Sequence, residues 1–136
     1  MRVVALQAAL QAELIAAAIA HAQAGRPVFP CAADKRPRVK GGFKAATTDH
    51  RLLQEWWSRW PIAMIGMPTG AASGFDVLDI DRKAGKDGFR TLQANGVTIP
   101  ADAVEVITPS GGSHFYFPHE PGRRSEAERF GAGVDI

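Results

Sequence analysis

The sequence predicts an α+β fold in which helices alternate with mostly antiparallel strands. Two stretches carry apolar side chains at helical spacing, Leu6, Leu10 and Leu14 in the first and Leu52, Trp56 and Trp60 in the second. Three later stretches, residues 75–81, 103–108 and 113–118, alternate in the way of strands with one buried face. Helices interleaved with strands that short turns can join are typical of the α+β class.

Size and composition indicate one globular domain. A chain of 136 residues can build one hydrophobic core but not two, and 46% hydrophobic with 22% charged residues is ordinary for a globular protein. A net charge of +2 permits contact with nucleic acid without arguing for it. The single cysteine, Cys31, excludes an intramolecular disulfide and a cysteine-rich zinc site, so we expect a cytoplasmic protein with a buried thiol.

The first half of the chain predicts two helices around a short strand. In the first helix, which ends near Gly25, the leucine stripe continues through Ile15 and Ile19 and is expected to be buried. Glu13 interrupts this apolar stretch, and no charge-free run of 18 residues exists, so we predict neither a signal peptide nor a membrane span. A strand over residues 27–31 and a long loop over 32–47 follow. Thr48 or Asp49 caps the second helix, whose tryptophans are expected to pack in the core.

The second half predicts strands around one more helix. The expected strands cover residues 63–67, 75–81, 103–108, 113–118 and 134–136. The third helix is predicted from Lys86 to Asn95, because Gly96 then ends it and Pro100 follows. Residues 109–112 form the hairpin-like connection between two of the strands.

Asp79 and Asp81 are the most informative pair in this half. Residues two apart on a strand share a face, about 7 Å apart along it, so both carboxylates point the same way. Two anions held this close repel each other unless a positive group lies between them, and a divalent cation with oxygen ligands is the usual solution. The pattern Asp-x-Asp is a weak signal when it stands alone.

A glycine-containing turn supplies the second candidate group. Gly111 and Gly112, after Ser110, let the backbone approach a ligand and offer N–H groups to an anion, and His114 follows Ser113 on the emerging strand. The plain alternative, a hairpin turn followed by a half-exposed histidine, stays open for this segment taken alone. Asp135 is a possible third carboxylate or simply a solvated residue.

Five basic residues cluster in the long loop of the first half, namely Lys35, Arg36, Arg38, Lys40 and Lys44. A run of this kind is either a solvated loop or a contact surface for phosphates. Charge alone leaves both interpretations open.

The order of a carboxylate pair, a small-x-His element and a single carboxylate resembles the archaeo-eukaryotic primase superfamily. The resemblance is closest to the bifunctional primase/polymerase N-terminal (prim-pol) family of phage, plasmid and mobile-element replication proteins. The matching stretches are Phe29–Cys31, Lys35–Pro37, Gly41–Asp49, Trp56–Trp57, Trp60–Pro61, Ile65–Gly66, Thr69–Gly70, Ser73–Gly74, Val77–Asp81, Thr108–His114, Tyr116–Phe117 and Gly133–Ile136. They run from Phe29 to the last residue and are specific in combination.

The resemblance implies a primase-type catalytic fold, with an RNA-recognition-motif-like core of mostly antiparallel strands flanked by helices. It implies template-directed nucleotidyl transfer with two Mg²⁺ or Mn²⁺ ions. The implied metal ligands and catalytic residues are Asp79, Asp81 and Asp135, with His114 also catalytic. The implied nucleotide-binding residues are Ser110, Gly111, Gly112, Ser113 and His114, with Lys35 and Lys44 from the basic loop. The implied partners are a DNA template, nucleoside triphosphates and a helicase domain or protein, with no membrane.

One departure from the family pattern affects this expectation. The family's domain normally continues past the third acidic motif, whereas this chain ends one residue after Asp135, so we expect residues 1–136 to be a single prim-pol-like domain truncated at its C-terminus. A catalytically inactive nucleotide- or nucleic-acid-binding module is therefore the alternative. A metal-dependent nuclease also uses Asp-x-Asp, but no glutamate lies on an apolar strand ahead of the pair, since Glu55 falls in a helix.

Overall fold

The computed structural model describes residues 2–136, with side chains from residue 5 onward, and the chain divides into two compact units. The first unit is Met1–Pro68 and the second is Thr69–Ile136. Three helices and several sheets, in which every strand pair is antiparallel, confirm the predicted α+β class. Each unit is described by itself below.

The first unit consists of two helices and a two-stranded sheet. Its elements are helix α1 (Arg2–Gln23), strand β1 (Phe29–Cys31), a 3₁₀ helix (Gly42–Ala45), helix α2 (His50–Arg59) and strand β2 (Met64–Gly66). Strands β1 and β2 pair antiparallel, with Pro30 opposite Ile65. The thiol of Cys31 is buried as expected, and this burial raises its pKa.

The core of the first unit forms where the second half of α1 meets α2. Its buried members are Ala18, Ala22, Val28, Leu53, Trp57 and Ala63. The prediction of a buried stripe from Leu6 onward is wrong at its start, because Leu6 is 70% and Leu10 47% exposed, and only from Leu14 does the helix pack against this core. Apolar spacing defines a helix face, but it cannot tell how far along the helix a packing partner extends.

Helix α1 also meets the length and composition that a membrane-crossing helix requires, over Ala5–Gln23. Glu13 lies within that window, and the C-terminal part of the helix packs on the core of the first unit. Such a helix near an N-terminus is weak evidence for a membrane span. The expectations of a cytoplasmic location and of no membrane contact stay predictions.

Helix α2 begins and packs as its sequence predicts. The Asp49 carboxylate caps it by accepting hydrogen bonds from the N–H groups of Arg51 (2.9 Å) and Leu52 (3.5 Å). Trp57 is 3% exposed, and its indole N–H donates to the carbonyl of Ala63 at 3.2 Å. The tryptophan-rich face therefore belongs to the core.

The second unit is a four-stranded sheet with one helix and a small hairpin. The elements are strands β3 (Phe75–Ile80), β4 (Arg82–Lys83) and β5 (Lys86–Asp87), helix α3 (Gly88–Ala94), and strands β6 (Val104–Ile107), β7 (Ser113–Pro118) and β8 (Val134–Asp135). The order in the sheet is β6-β7-β3-β8, and β4 pairs only with β5. The third helix starts at Gly88 and not at Lys86 as predicted, because Lys86 lies in the β4–β5 hairpin and Asp87 caps the helix.

The two faces of this sheet differ in character. One face, the covered face, carries Leu78, Ile80, Phe115 and Val134, which form a core with Leu92 of α3. The alternate residues of the same strands, among them Asp79 and His114, belong to the other face, called the open face here. The covered face packs against α3, and the candidate site residues Asp79 and His114 lie on the open face.

At the edge of the covered face, Asp76 is held by a polar cluster. Its side chain is 13% exposed; it contacts the His119 ring at 2.7 Å and accepts the Glu120 N–H at 3.0 Å, with the Arg123 guanidinium 3.6 Å away. Burial alone would raise the pKa of the Asp76 carboxyl, but these hydrogen bonds and positive charges outweigh it and lower the pKa. The structure thus gives His119 a satisfied structural role.

This cluster predicts an acid-dependent loss of stability. Because the pKa of Asp76 is lower in the folded chain than in the unfolded one, its contribution is present above the ordinary value of 3.8 and disappears as the pH falls through the folded value. Urea denaturation of wild type and Asp76→Asn should therefore show a difference in unfolding free energy at pH 7 that shrinks as the pH is lowered from 5 toward 3. Asp102→Asn, at an exposed position of the same unit, is the control; a difference for Asp76→Asn that is constant with pH would contradict the prediction.

Candidate functional site

Three of the predicted site residues lie in one row across the open face. Asp79 of β3 is opposite His114 of β7 on one side and opposite Asp135 of β8 on the other. Directly opposite residues on antiparallel strands have Cβ atoms about 5 Å apart, so the three side chains are immediate neighbours. The Nε2 atom of His114 lies 3.5 Å from the nearer carboxylate oxygen of Asp79. We call these three residues the site row.

Asp81 is positioned next to the site row by backbone hydrogen bonds. Its N–H donates to the carbonyl of Gly133 at 2.8 Å, and its own carbonyl accepts the N–H of Gly88 at 2.8 Å. A Cβ atom on Gly88 would overlap the Gly133 carbonyl, so only glycine allows the start of α3 to approach β8 this closely. Asp81 is thereby fixed between the start of α3 and the segment that leads into β8.

The carboxylates of the site are partly exposed, and their polar partners are the Lys83 ammonium, the His114 ring and a backbone N–H group. The side chains of Asp79 and Asp81 are 39% and 23% exposed. Asp81 contacts the Lys83 ammonium at 3.3 Å, and Asp135 accepts the backbone N–H of Glu128 at 2.7 Å. Lone pairs therefore remain on all three carboxylates for further ligands.

Two lysines near the carboxylates were not predicted from the sequence. Lys86 bonds Glu128 at 2.9 Å, and that bond, together with the negative charges of Asp135 and Asp81, raises the pKa of the lysine. Lys83 and Lys86 face the site because Ala84 and Gly85, both with positive φ, turn the chain sharply between them. The Ala-Gly dipeptide between the two lysines was the available signal, but Lys86 was assigned to the start of the third helix and Lys83 to no element.

The glycine-containing turn lies beside the end of strand β3. A Cβ on Gly112 would overlap the carbonyl oxygen of Ile80, so glycine is required for this approach. Within the turn, the N–H of Gly111 donates to the Thr108 carbonyl at 3.0 Å, and the hydroxyl of Ser110 lies 3.3 Å from that of Thr108. The turn therefore uses one of the N–H groups that we had assigned to an anion.

Ser113 points away from the site row. Its side chain is on the covered face, 3% exposed, and its hydroxyl donates to the carboxylate of Glu105 at 2.6 Å. A nucleotide-binding role for Ser113 stays a prediction, but its hydroxyl already has a partner. Lys35 and Lys44 belong to the first unit, where both are exposed, and their predicted role in nucleotide binding is likewise untested.

The chemistry of the site row and Asp81 fits divalent cations. Three carboxylates supply the hard oxygen ligands that Mg²⁺ and Mn²⁺ prefer, and like charges directly opposite one another, as in Asp79 and Asp135, are destabilising unless a positive group compensates them. Across residues 2–136, no three His, Cys, Asp or Glu side chains are already arranged as a metal cluster. The backbone register brings the ligands together, and the side chains would have to converge on an ion.

Comparison with known families decides what kind of domain this is. The family model of the bifunctional DNA primase/polymerase N-terminal domain matches residues 18–136, most of the chain. The chain belongs to this prim-pol family. The predicted resemblance is thus confirmed. No curated protein and no solved structure matches the chain significantly.

Membership in the prim-pol family gives the function in general terms. The function is of the DNA primase/polymerase type, and a domain of this type binds DNA and nucleotides. Prim-pol enzymes generally use divalent metals, which agrees with the carboxylates around the site row. The matched region begins within α1 and covers most of the first compact unit and all of the second.

Proposed function

We propose that this prim-pol domain catalyses template-directed nucleotidyl transfer with two Mg²⁺ or Mn²⁺ ions held by Asp79, Asp81 and Asp135. The observation that carries the proposal is the site row, in which two of these carboxylates and His114 occupy adjacent positions on three neighbouring strands. When bound, such ions activate a 3′-hydroxyl and neutralise the triphosphate and the leaving pyrophosphate.

His114 is proposed to bind the phosphates of the incoming nucleotide. Its ring is 36% exposed, and the Nε2 atom that approaches Asp79 can donate a hydrogen bond to a phosphate oxygen instead. The turn at Gly112 lies against the same strand and allows a phosphate to come close to the backbone. The His114 ring and the turn at Gly112 can therefore both contact the phosphates, where negative charge develops during nucleotidyl transfer.

The lysines of the β4–β5 hairpin are proposed to balance the charge of the carboxylates before ions enter. Lys83 contacts Asp81 across an exposed ion pair, which is weak enough to be exchanged for a cation. In the first unit, the exposed basic loop with Lys35 and Lys44 is proposed to bind backbone phosphates of the template or nucleotide without regard to sequence. A helicase partner and an origin in a phage, plasmid or other mobile element rest on the family resemblance.

The decisive experiment measures DNA synthesis on a primed and on an unprimed template with Mg²⁺ or Mn²⁺. We expect Asp79→Asn and Asp81→Asn each to reduce the rate by about 100-fold or more, because each removes a charged ligand from the ions. Asp102→Asn, an exposed aspartate outside the site row, should leave the rate unchanged.

The alternative function, a nucleotide- or nucleic-acid-binding module without catalysis, predicts a different outcome of the same experiment. It requires that wild type binds nucleotide and yet makes no more product than the Asp79→Asn variant. Equal synthesis by wild type and both site variants would overturn the proposed nucleotidyl transfer for this chain.

A further inference from the structure

The open face continues beyond the site row into an apolar patch. One step along the strands from His114 and Asp79, Tyr116 lies between Val104 of β6 and Val77 of β3. Phe75, two residues further along β3, packs its ring edge-to-face against Tyr116, with centroids 5.2 Å apart and planes at 65°. We call Phe75 and Tyr116 the aromatic pair.

The aromatic pair is not part of the hydrophobic core that holds the sheet on α3. That core is built from the covered face, where Phe115 and Phe117 of the same strand point. Both rings of the pair are only half-buried, and the neighbouring Val104 is 63% exposed. The Tyr116 hydroxyl makes no hydrogen bond within the described part of the chain, and its oxygen is accessible to solvent. The pair thus offers accessible ring surface and a free polar group.

The direction of the strands places this pair at the opposite end from the turn. Asp81 and Gly112 lie on one side of the site row, and Tyr116 lies on the other, about 7 Å from His114 along the strand. A nucleoside triphosphate whose phosphates lie at the turn and His114, and which continues along β7, would place its ribose and base at the aromatic pair.

From this geometry we infer that the aromatic pair is the contact surface for the nucleoside part of the incoming nucleotide. The inference rests on the proposed function, because the proposed phosphate site defines the direction of the nucleotide. Stacking on an aromatic ring and apolar contact with the ribose do not distinguish bases, so the surface accepts all four nucleotides. Tyr116 is then a binding residue for the proposed reaction, with Phe75 fixing the orientation of its ring.

The test separates the nucleoside from the phosphates by using two probes, ATP and inorganic tripolyphosphate, in calorimetric titrations with Mg²⁺. Tyr116→Leu should weaken ATP binding by about 5- to 50-fold and change tripolyphosphate binding by less than about twofold. Tyr116→Phe, which keeps the ring, should retain most of the ATP affinity. Phe117→Leu, on the same strand but the covered face, is the matched control and should affect neither probe.

A second variant keeps the test valid if Tyr116→Leu does not fold. Val104 is exposed on an edge strand opposite Tyr116, where a larger aromatic side chain is tolerated. Val104→Trp enlarges the aromatic surface and should tighten ATP binding by about two- to tenfold without affecting tripolyphosphate. Unchanged ATP affinity in both Tyr116→Leu and Val104→Trp would overturn the inference.

The same titrations distinguish failure of this inference from failure of the proposed function. His114→Gln should weaken both probes, because it alters the phosphate site. If His114→Gln weakens both probes while Tyr116→Leu and Val104→Trp leave ATP affinity unchanged, or change both probes equally, only the nucleoside surface is refuted. If wild type binds tripolyphosphate no better than His114→Gln does, the phosphate site itself is refuted, and the inference fails with it.

Discussion

Gly112→Ala is expected to lower the free energy of unfolding by about 3 kcal/mol and to remove nucleotide binding at the same time. The added Cβ would overlap the carbonyl oxygen of Ile80, which is backbone and cannot rotate away, so β7 has to move from β3 at the end next to the site row. Urea denaturation measures the loss of stability. Amide hydrogen exchange should show that Ile80 and Ser113, which pair at this end, lose protection first.

The neighbouring glycine provides a matched control for this effect. Gly111 has a φ of +85°, and nothing lies within 4 Å of a Cβ built on it, so Gly111→Ala carries only the cost of left-handed backbone, about 1 kcal/mol. Gly112 does not have a left-handed backbone conformation, so the cost of Gly112→Ala comes only from the overlap of the new Cβ with its neighbours. A loss of stability in Gly111→Ala equal to or larger than that in Gly112→Ala would contradict the close packing of the turn on β3.

Ile80→Ala is expected to destabilise the chain by about 2–5 kcal/mol. Ile80 is fully buried in the core of the second unit, and truncation to alanine removes apolar contacts and leaves a cavity beneath Asp79 and Asp81. The measurement is thermal and urea denaturation followed by circular dichroism. Ile80→Val, which removes one methyl group, should cost only about 1 kcal/mol.

The corresponding change in the first unit tests our proposal that the chain is a single domain. Leu53 is also fully buried, so Leu53→Ala should cost a similar 2–5 kcal/mol. In a single cooperative domain both variants shift one transition, and all spectroscopic probes move together. Two separable transitions, one shifted by Leu53→Ala and the other by Ile80→Ala, would show that the compact units unfold independently.

Much of the second unit was predictable because its strands alternate strictly. The pattern around Asp79 predicted β3 over residues 75–81 against the observed Phe75–Ile80, and the predicted strand from Ser113 to Pro118 coincides with β7. In the structure, His114 and Tyr116 lie on the face opposite to Phe115 and Phe117, as strict alternation along β7 requires. Alternation determines faces reliably because a strand has a period of two.

Predictions failed where local pattern does not contain the relevant information. Leu6 and Leu10 share a helical stripe with Leu14 and are exposed, because burial depends on where a packing partner ends. The third helix was predicted to begin two residues early. Lys86 is compatible by propensity with either the first turn of a helix or a hairpin, so the sequence did not distinguish the two. The partners of Asp76 could not be predicted, as His119 lies 43 residues away.

The sequence by itself determined the α+β class, the two faces of the strand that carries Asp79, and, through the order of its motifs, the prim-pol family. Only the tertiary structure decided the strand order β6-β7-β3-β8, which brings His114, Asp79 and Asp135 into one row and turns the Ser113 hydroxyl away from it. The physical reason is that side-chain periodicity is a local property of the backbone. The neighbours of a strand are instead selected by contacts between residues far apart in the chain.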